Sequence, residues 1–276
     1  MSNSEHLYQV NGVELGVETF GDPAAPAILL IDGASASMLW WEAALCERIS
    51  AAGRFVIRYD NRDTGRSTCY PAGRATYTFT DLAADAAGVL DAVGAGSAHI
   101  VARSWGAGIG RALCIEHRDR VRTLTLVSTS TGRDGLPPPV DAFMRHVPPD
   151  PDPDDHDAVV AHLVGWSRAI AGGSPHFDEA ATRALVERDL ARTRSVASML
   201  ANPAATADAP QRDFADVDVP TLVVHGDHDA LLPLAHGEAL RDTIRGAELL
   251  VLPGAGHDLP QQVWDMFVAA LVRHTS

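Results

Sequence analysis

The chain has 276 residues, 46% hydrophobic and 21% charged, ordinary proportions for a soluble globular protein long enough to bury a sizeable core. Its 36 acidic residues against 22 basic ones give a formal net charge of −14, which disfavours nucleic acid and anionic membranes as partners. Every basic residue is Arg, so Schiff-base and lysine-base chemistry are excluded.

The three cysteines, Cys46, Cys69 and Cys114, are widely spaced and form no C-x-x-C pair, a pattern that suits a reducing compartment. The N-terminal residues lack a basic region followed by an apolar core, and no apolar stretch is long enough to span a bilayer. A cytoplasmic protein is expected.

In chain order, Tyr8 to Val10 and Val13 to Phe20 alternate around the turn dipeptide Asn11-Gly12 and predict a hairpin. The apolar run Pro26 to Ile31 predicts a strand buried on both faces. Met38 to Ala51 has helical spacing, with Leu39, Leu45 and Ile49 on one face. Phe55 to Tyr59 returns to strand, and a helix follows from about Leu82 to Val93. A strand around His99 to Val101, a Gly- and Ala-rich helix and the strand Thr123 to Val127 continue the alternation. This β-α-β-α order predicts a mostly parallel sheet with helices on both faces.

The alternation stops near Ser130. Pro137 to Pro139, Pro148-Pro149 and the run Asp150-Pro-Asp-Pro-Asp-Asp make a stiff connection that cannot be a central strand. Its acids read as a solvated loop, because hard-metal sites need convergent oxygens. Helices are expected over Ala158 to Ala171 and Asp178 to Leu200. The β/α pattern then resumes with Thr221 to His225, a helix from about Ala235, the strand Glu248 to Leu252 and a last helix from Gln261. Residues 132–213 are therefore expected to be a helical, lid-forming insertion in a core made of 1–131 and 214–276.

Three segments carry chemistry. Ser104 lies in Ala102-Arg103-Ser104-Trp105-Gly106, between a strand and a helix, the setting of a nucleophile elbow with small residues two before and two after the serine. A serine hydroxyl needs a base, and an imidazole needs a carboxylate to fix its tautomer. His225-Gly226-Asp227-His228-Asp229 closes a strand and offers the acid; Asp229 is preferred to Asp227 because it lies further past the strand end. Asp227 would instead cap the turn. Pro253-Gly254-Ala255-Gly256-His257 follows the next strand and offers the base. A metal site built from 225–229 with His236 is disfavoured, since adjacent strand positions face opposite ways. Donors for an oxyanion are expected from the N–H of Trp105 and, past the turn at Gly33, the N–H of Ala34.

The order Ser…Asp…His, together with Phe20-Gly-Asp-Pro23 and the segment Val56-Ile-Arg-Tyr-Asp-Asn-Arg-Asp-Thr-Gly-Arg-Ser67, resembles the α/β-hydrolase superfamily over essentially the whole chain. Within it the chain looks most like the aclacinomycin methylesterase group, which acts on aromatic polyketide methyl esters. The resemblance implies an eight-stranded sheet, a helical cap between strands six and seven, and no cofactor. By position it implies Ser104 as nucleophile, Asp229 as acid and His257 as base, with Ala34 and Trp105 as oxyanion donors.

The chain departs from that pattern in two places. Superfamily members often carry His-Gly where this chain has Asp32-Gly33, and the elbow is flanked by Arg103 and Trp105 rather than by small apolar residues. Neighbouring strands would bring Asp32 and Arg103 together as an ion pair beside the nucleophile. Alternatively, Arg103 points to a solvated rim, or faces the pocket and grips a substrate carboxylate. Trp40, Trp41 and Trp105 would then form an aromatic wall, although core packing accounts for tryptophans equally well. The expected activity is hydrolysis of a hydrophobic ester, a small-molecule substrate. The rivals are decarboxylation, C–C or lactone hydrolysis or thioesterase action on the same triad, or ligand binding with little turnover.

Overall fold

A computed structural model describes residues 5–206 and 213–276. Eight strands form one sheet: β1 (His6–Val10), β2 (Val13–Phe20), β3 (Ala27–Ile31), β4 (Phe55–Tyr59), β5 (Ala98–Arg103), β6 (Val121–Val127), β7 (Thr221–Gly226) and β8 (Glu248–Leu252). Their order is β1-β2-β4-β3-β5-β6-β7-β8, with β2 antiparallel to both neighbours and every other pairing parallel. The hairpin turn has Asn11 at φ 47° and Gly12 at φ 79°, the left-handed pair that a tight two-residue connection requires.

The continuous apolar strands are explained by their cover. Along β3, Leu29 and Ile31 face one side and pack with Leu82 and Val89 of α2 (Phe79–Ala92) and Ile109 and Leu113 of α3 (Gly106–Glu116). Ile28 and Leu30 face the other, with Leu45 and Ile49 of α1 (Ala43–Ala51) and Phe267 and Leu271 of α9 (Trp264–His274). Helix α8 (Ala235–Thr243) adds Leu240 to the first layer. Both faces of the central strands are therefore dry, and no residue of β3, β4, β5 or β7 is left exposed.

Between β6 and β7 lie α4 (Asp141–His146), α5 (His156–Ile170), α6 (Glu179–Arg192) and α7 (Val196–Ala205). Val159, Val160 and Val164 of α5 pack on Val186 and Leu190 of α6 and on Met199 of α7, a small core separate from the sheet's. Residues 207–212, the part of the expected insertion just before its end at 213, and residues 1–4 lie outside the described residues.

Three elements differ from the sequence reading. The expected helix Met38 to Ala51 is a 3-10 turn, Met38–Trp40, followed by α1; Arg58 Nη1 donates to the carbonyls of Met38 and Trp41 at the break between them. The expected helix Asp178 to Leu200 breaks at Thr193 to Ser195, where Arg194 N–H donates to Gly65 O at 2.9 Å and Ser195 caps α7. Helix α4 forms inside the proline-rich connection, where its six residues gave too short a periodic signal to read.

The segment that carried the family resemblance holds this helical layer in place. Asp60, fully buried, accepts from Met38 N–H at 2.9 Å, from Arg66 N–H at 2.9 Å and from Arg192 of α6 at 2.8 and 3.0 Å. Arg192 also reaches Glu5 at 2.5 Å. Further along the chain, Asn202 Oδ1 of α7 accepts from Gly73 N–H at 2.7 Å, and Ser198 Oγ donates to Tyr70 O at 2.6 Å.

Candidate active site

The site begins with a strained turn. Ser104 has φ 50°, a left-handed conformation that costs a non-glycine residue about 1 kcal/mol or more and is kept only where the surroundings enforce it. Enforcement comes from β6 and beyond it: Ser104 N–H donates to Val127 O at 2.9 Å and Thr129 Oγ1 donates to Ser104 O at 3.0 Å. The chain then enters α3 directly at Gly106. A Cβ at Gly106 would run into the carbonyl oxygen of Asp32, and one at Gly110 would lie 2.9 Å from Ala102 Cβ. The small residues of the elbow are thus what let α3 and the loop after β3 close on the serine.

Ser104 Oγ lies 2.9 Å from His257 Nε2, and His257 Nδ1 lies 2.8 Å from Asp229 Oδ2. The Asp229 carboxylate is held by further donors: Leu231 N–H at 3.0 Å and Leu232 N–H at 2.8 Å on Oδ1, with His225 Nε2 3.4 Å from Oδ2. Burial works to raise its pKa. The His257 and His225 rings and the backbone donors outweigh burial and hold the carboxyl well below the usual range. An ionised Asp229 can only accept, so Nδ1 of His257 carries the hydrogen and Nε2 is left to accept from Ser104. The arrangement can deprotonate the hydroxyl as it attacks.

Of the two carboxylates at the end of β7, Asp229 therefore meets His257. Asp227 points to the other side: it accepts from Gly254 N–H at 2.7 Å, capping the turn, and pairs with His228 Nδ1 at 2.7 Å. The other two histidines of this region, His225 and His236, have separate partners. His225 Nε2 donates to Leu232 O at 2.7 Å, while His236 contacts Ser130 Oγ at 2.7 Å and Pro137 O at 2.9 Å.

Beside the serine, Asp32 and Arg103 meet in a buried pair. Arg103 Nε donates to Asp32 Oδ1 at 3.0 Å, and Nη2 donates to Oδ1 at 2.7 Å and Oδ2 at 2.8 Å. The guanidinium also sits 4.9 Å from the centre of the Trp41 ring. Arg103 is thus neither a solvated rim residue nor a free clamp for a substrate carboxylate. Gly33 N–H turns back onto Asp32 Oδ1 at 2.6 Å, so the next amide along the loop, that of Ala34, is the one free of this turn. A Cβ at Gly33 would lie 3.3 Å from Ser104 Cβ, which places this loop against the serine.

A cavity of about 610 Å³ opens over Ser104 and His257. Its floor includes Asp32, Gly33, Ala34 and Arg103; its roof comes from the helical insertion, notably Leu163, Trp166 and Ile170 of α5 and Leu200 of α7. Trp40 lines it and donates from Nε1 to Asp189 of α6 at 2.8 Å. Two expected wall residues are elsewhere. Trp41 is fully buried in the core, where it packs under Arg103, and Trp105 tilts against Phe79 with ring centres 4.9 Å apart. Trp166 takes their place, stacked near His162 at 6.5 Å. His162, Leu163 and Trp166 recur at helical spacing in the sequence, but period alone did not say which face met the cavity. The acidic connection is solvated at Asp152, Asp154 and Asp155, yet Asp150, Pro151 and Pro153 reach the cavity rim.

The insertion is tied to the same loops it covers. His257 N–H donates to Ile170 O at 3.2 Å, and a Cβ at Gly256 would lie 2.5 Å from Ala171 Cα. The end of α5 thus fixes the backbone that carries His257.

Comparison with known proteins agrees with this architecture. A family model described as the α/β hydrolase fold matches residues 26–260. The chain is 33% identical to the rhodomycin D methylesterase DauP of Streptomyces sp. (strain C5), and the match covers 95% of each chain. It is 32% identical to the rhodomycin D methylesterase DnrP of Streptomyces peucetius, again over 95% of each. The crystal structure of the enol-lactonase from Burkholderia xenovorans LB400 superposes with a TM-score of 0.77 at 25% identity, covering 98% of this chain and 99% of that one. With the sheet order, the family match and these full-length relatives in agreement, the chain belongs to the α/β-hydrolase fold family.

Proposed function

We propose that the protein is a serine carboxylesterase that removes the methyl group from esters of bulky, largely apolar acids, aromatic polyketides among them. The observation that carries the reading is the continuous chain of contacts from Ser104 Oγ through His257 to Asp229, at 2.9 and 2.8 Å. In this reading Ser104 Oγ attacks the ester carbonyl carbon while His257 Nε2 takes its proton. The N–H groups of Ala34 and Trp105 receive the developing oxyanion. Collapse of the tetrahedral intermediate expels methoxide, which leaves as methanol with the proton from the imidazolium. Water then attacks the acyl-enzyme with His257 again as base, releasing the acid and restoring Ser104.

Support for the substrate class comes from the cavity and the relatives. A volume of about 610 Å³ is in the range of drug-sized ligands, and Trp40 and Trp166 offer flat apolar faces. The two full-length relatives named above are methylesterases of rhodomycin D. The test is turnover of methyl anthraquinone-2-carboxylate, with methanol and acid followed by chromatography. Hydrolysis is expected, with Ser104→Ala and His257→Gln each lowering kcat by roughly 10³-fold or more. If the methyl ester is untouched while an aromatic lactone is opened, the lactonase reading prevails; tight binding without turnover of either favours a receptor.

A further inference from the structure

One buried polar atom at the cavity takes no part in the mechanism above. Asp258 follows His257 directly and lines the cavity, and its Oδ1 is sealed from solvent without a hydrogen-bond partner. Of the described buried side-chain atoms left without a partner, this is the one whose residue faces the cavity. Four other polar side chains of the lining are committed: Arg103 to Asp32, Ser35 to Met199 O, Ser167 to Leu163 O and Thr182 to Asp178 O, while Asp150 stands at the exposed rim. An ionised carboxylate needs donors at both oxygens, and a sealed oxygen without one disfavours the charge.

We infer that Asp258 stands in the cavity as a neutral carboxylic acid and donates its proton, from the carboxyl oxygen other than the sealed Oδ1, in a hydrogen bond to an oxygen carried on the α or β carbon of the acyl group. The inference rests on the esterase reading and names a further feature of its substrates, a keto or hydroxyl oxygen beside the ester. Burial raises the Asp258 pKa and Asp229 adds to the rise; its own backbone N–H, Arg103 and His257 oppose it without reversing it. Asp229, Arg103 and His257 are the side chains that act on it most strongly, and Asp32, Asp150 and His162 also line the cavity. Arg103 is already neutralised by Asp32, which limits what it can do for a second carboxylate. Asp258 lines the same cavity as Ser104 and as His257, the residue before it.

The test compares methyl 3-oxo-3-phenylpropanoate with methyl 3-phenylpropanoate, their kcat/KM values normalised to hydroxide-catalysed hydrolysis. A ratio of about tenfold or more in favour of the keto ester is expected. Asp258→Leu should bring the ratio close to one, and Asp258→Asn, whose amide still donates, should retain most of it. Raising the pH should lower the ratio in the wild type and leave it flat in Asp258→Asn. Calorimetric binding of both esters to Ser104→Ala makes the same comparison without turnover, so failure of the esterase reading does not hide the answer. A ratio near one in the wild type, an unchanged ratio in Asp258→Leu, or equal loss in the Asn and Leu variants would overturn the inference. Thermal melting gives an independent check: Asp258→Leu should melt no lower than the wild type, and a lower melting temperature would mark a purely structural carboxyl.

Discussion

Arg103 Nη2 and Asp32 Oδ1 lie 2.7 Å apart, and each residue directly precedes a piece of the candidate machinery, Ser104 in one case and the Gly33–Ala34 loop in the other. The pair joins the ends of neighbouring parallel strands β5 and β3. It is buried, with the guanidinium against the Trp41 ring. Burial raises the Asp32 carboxyl while Arg103 and Gly33 N–H act to lower it. Such a pair adds little over an apolar replacement, but removing one partner strands the other. Asp32→Ala and Arg103→Met should each cost about 3 kcal/mol in urea unfolding, and the double variant less than the sum by about 1 kcal/mol or more. Simple additivity would show that the two side chains do not depend on each other.

Gly106 tests the closeness of the elbow to the loop after β3. Its added methyl group would meet Asp32 O, so Gly106→Ala must push that loop away from Ser104. Displacing one oxyanion donor lowers kcat by roughly 10²-fold. The expected outcome is that loss with a circular dichroism spectrum like the wild type's; full activity would mean that the loop tolerates displacement.

Trp166 tests the aromatic roof. It lines the cavity and is braced edge-on by Phe143, with ring centres 5.5 Å apart. Trp166→Ala should raise KM for methyl anthraquinone-2-carboxylate about tenfold, and raise KM for p-nitrophenyl acetate far less, because the acetyl group is too small to reach the roof. Equal changes for both esters would assign Trp166 to folding instead.

Asp189 links the roof to Trp40, and burial pushes its carboxyl up to about 6 despite donors from Ser37 and Trp40. Between its unfolded value near 3.8 and about 6 the native state binds the proton that the unfolded chain has lost. Its contribution to stability is therefore full below pH 3.8 and is lost as pH rises through about 6. Asp189→Asn removes this dependence. Urea unfolding from pH 4 to 7 should show the variant gaining on the wild type as pH rises, by about 1–3 kcal/mol in total. Parallel pH profiles would refute the assignment.

The sheet could be read from the chain because buried parallel strands are short apolar runs separated by turn residues, as at Ala27–Ile31 and Thr221–Gly226. Ser104, Asp229 and His257 stood out because each lies just past such a run. The meeting of Asp32 with Arg103 was legible for the same reason, from strand adjacency. What escaped the sequence was decided by contacts distant along the chain. Trp41 and Trp105 look like pocket residues until Arg103 and Phe79 claim them. Trp166 and Asp258 reach the cavity only once α5 has docked on the His257 loop through Ile170 O. The breaks at Trp41 and Thr193 likewise coincide with contacts to Arg58 and Gly65, far away in sequence.

The most direct test of the account is labelling with a fluorophosphonate followed by intact-mass and peptide mass spectrometry. One adduct per chain is expected, on Ser104, absent from Ser104→Ala and formed far more slowly in His257→Gln. No adduct, or an adduct on a different serine, would contradict the assignment of Ser104 as the nucleophile.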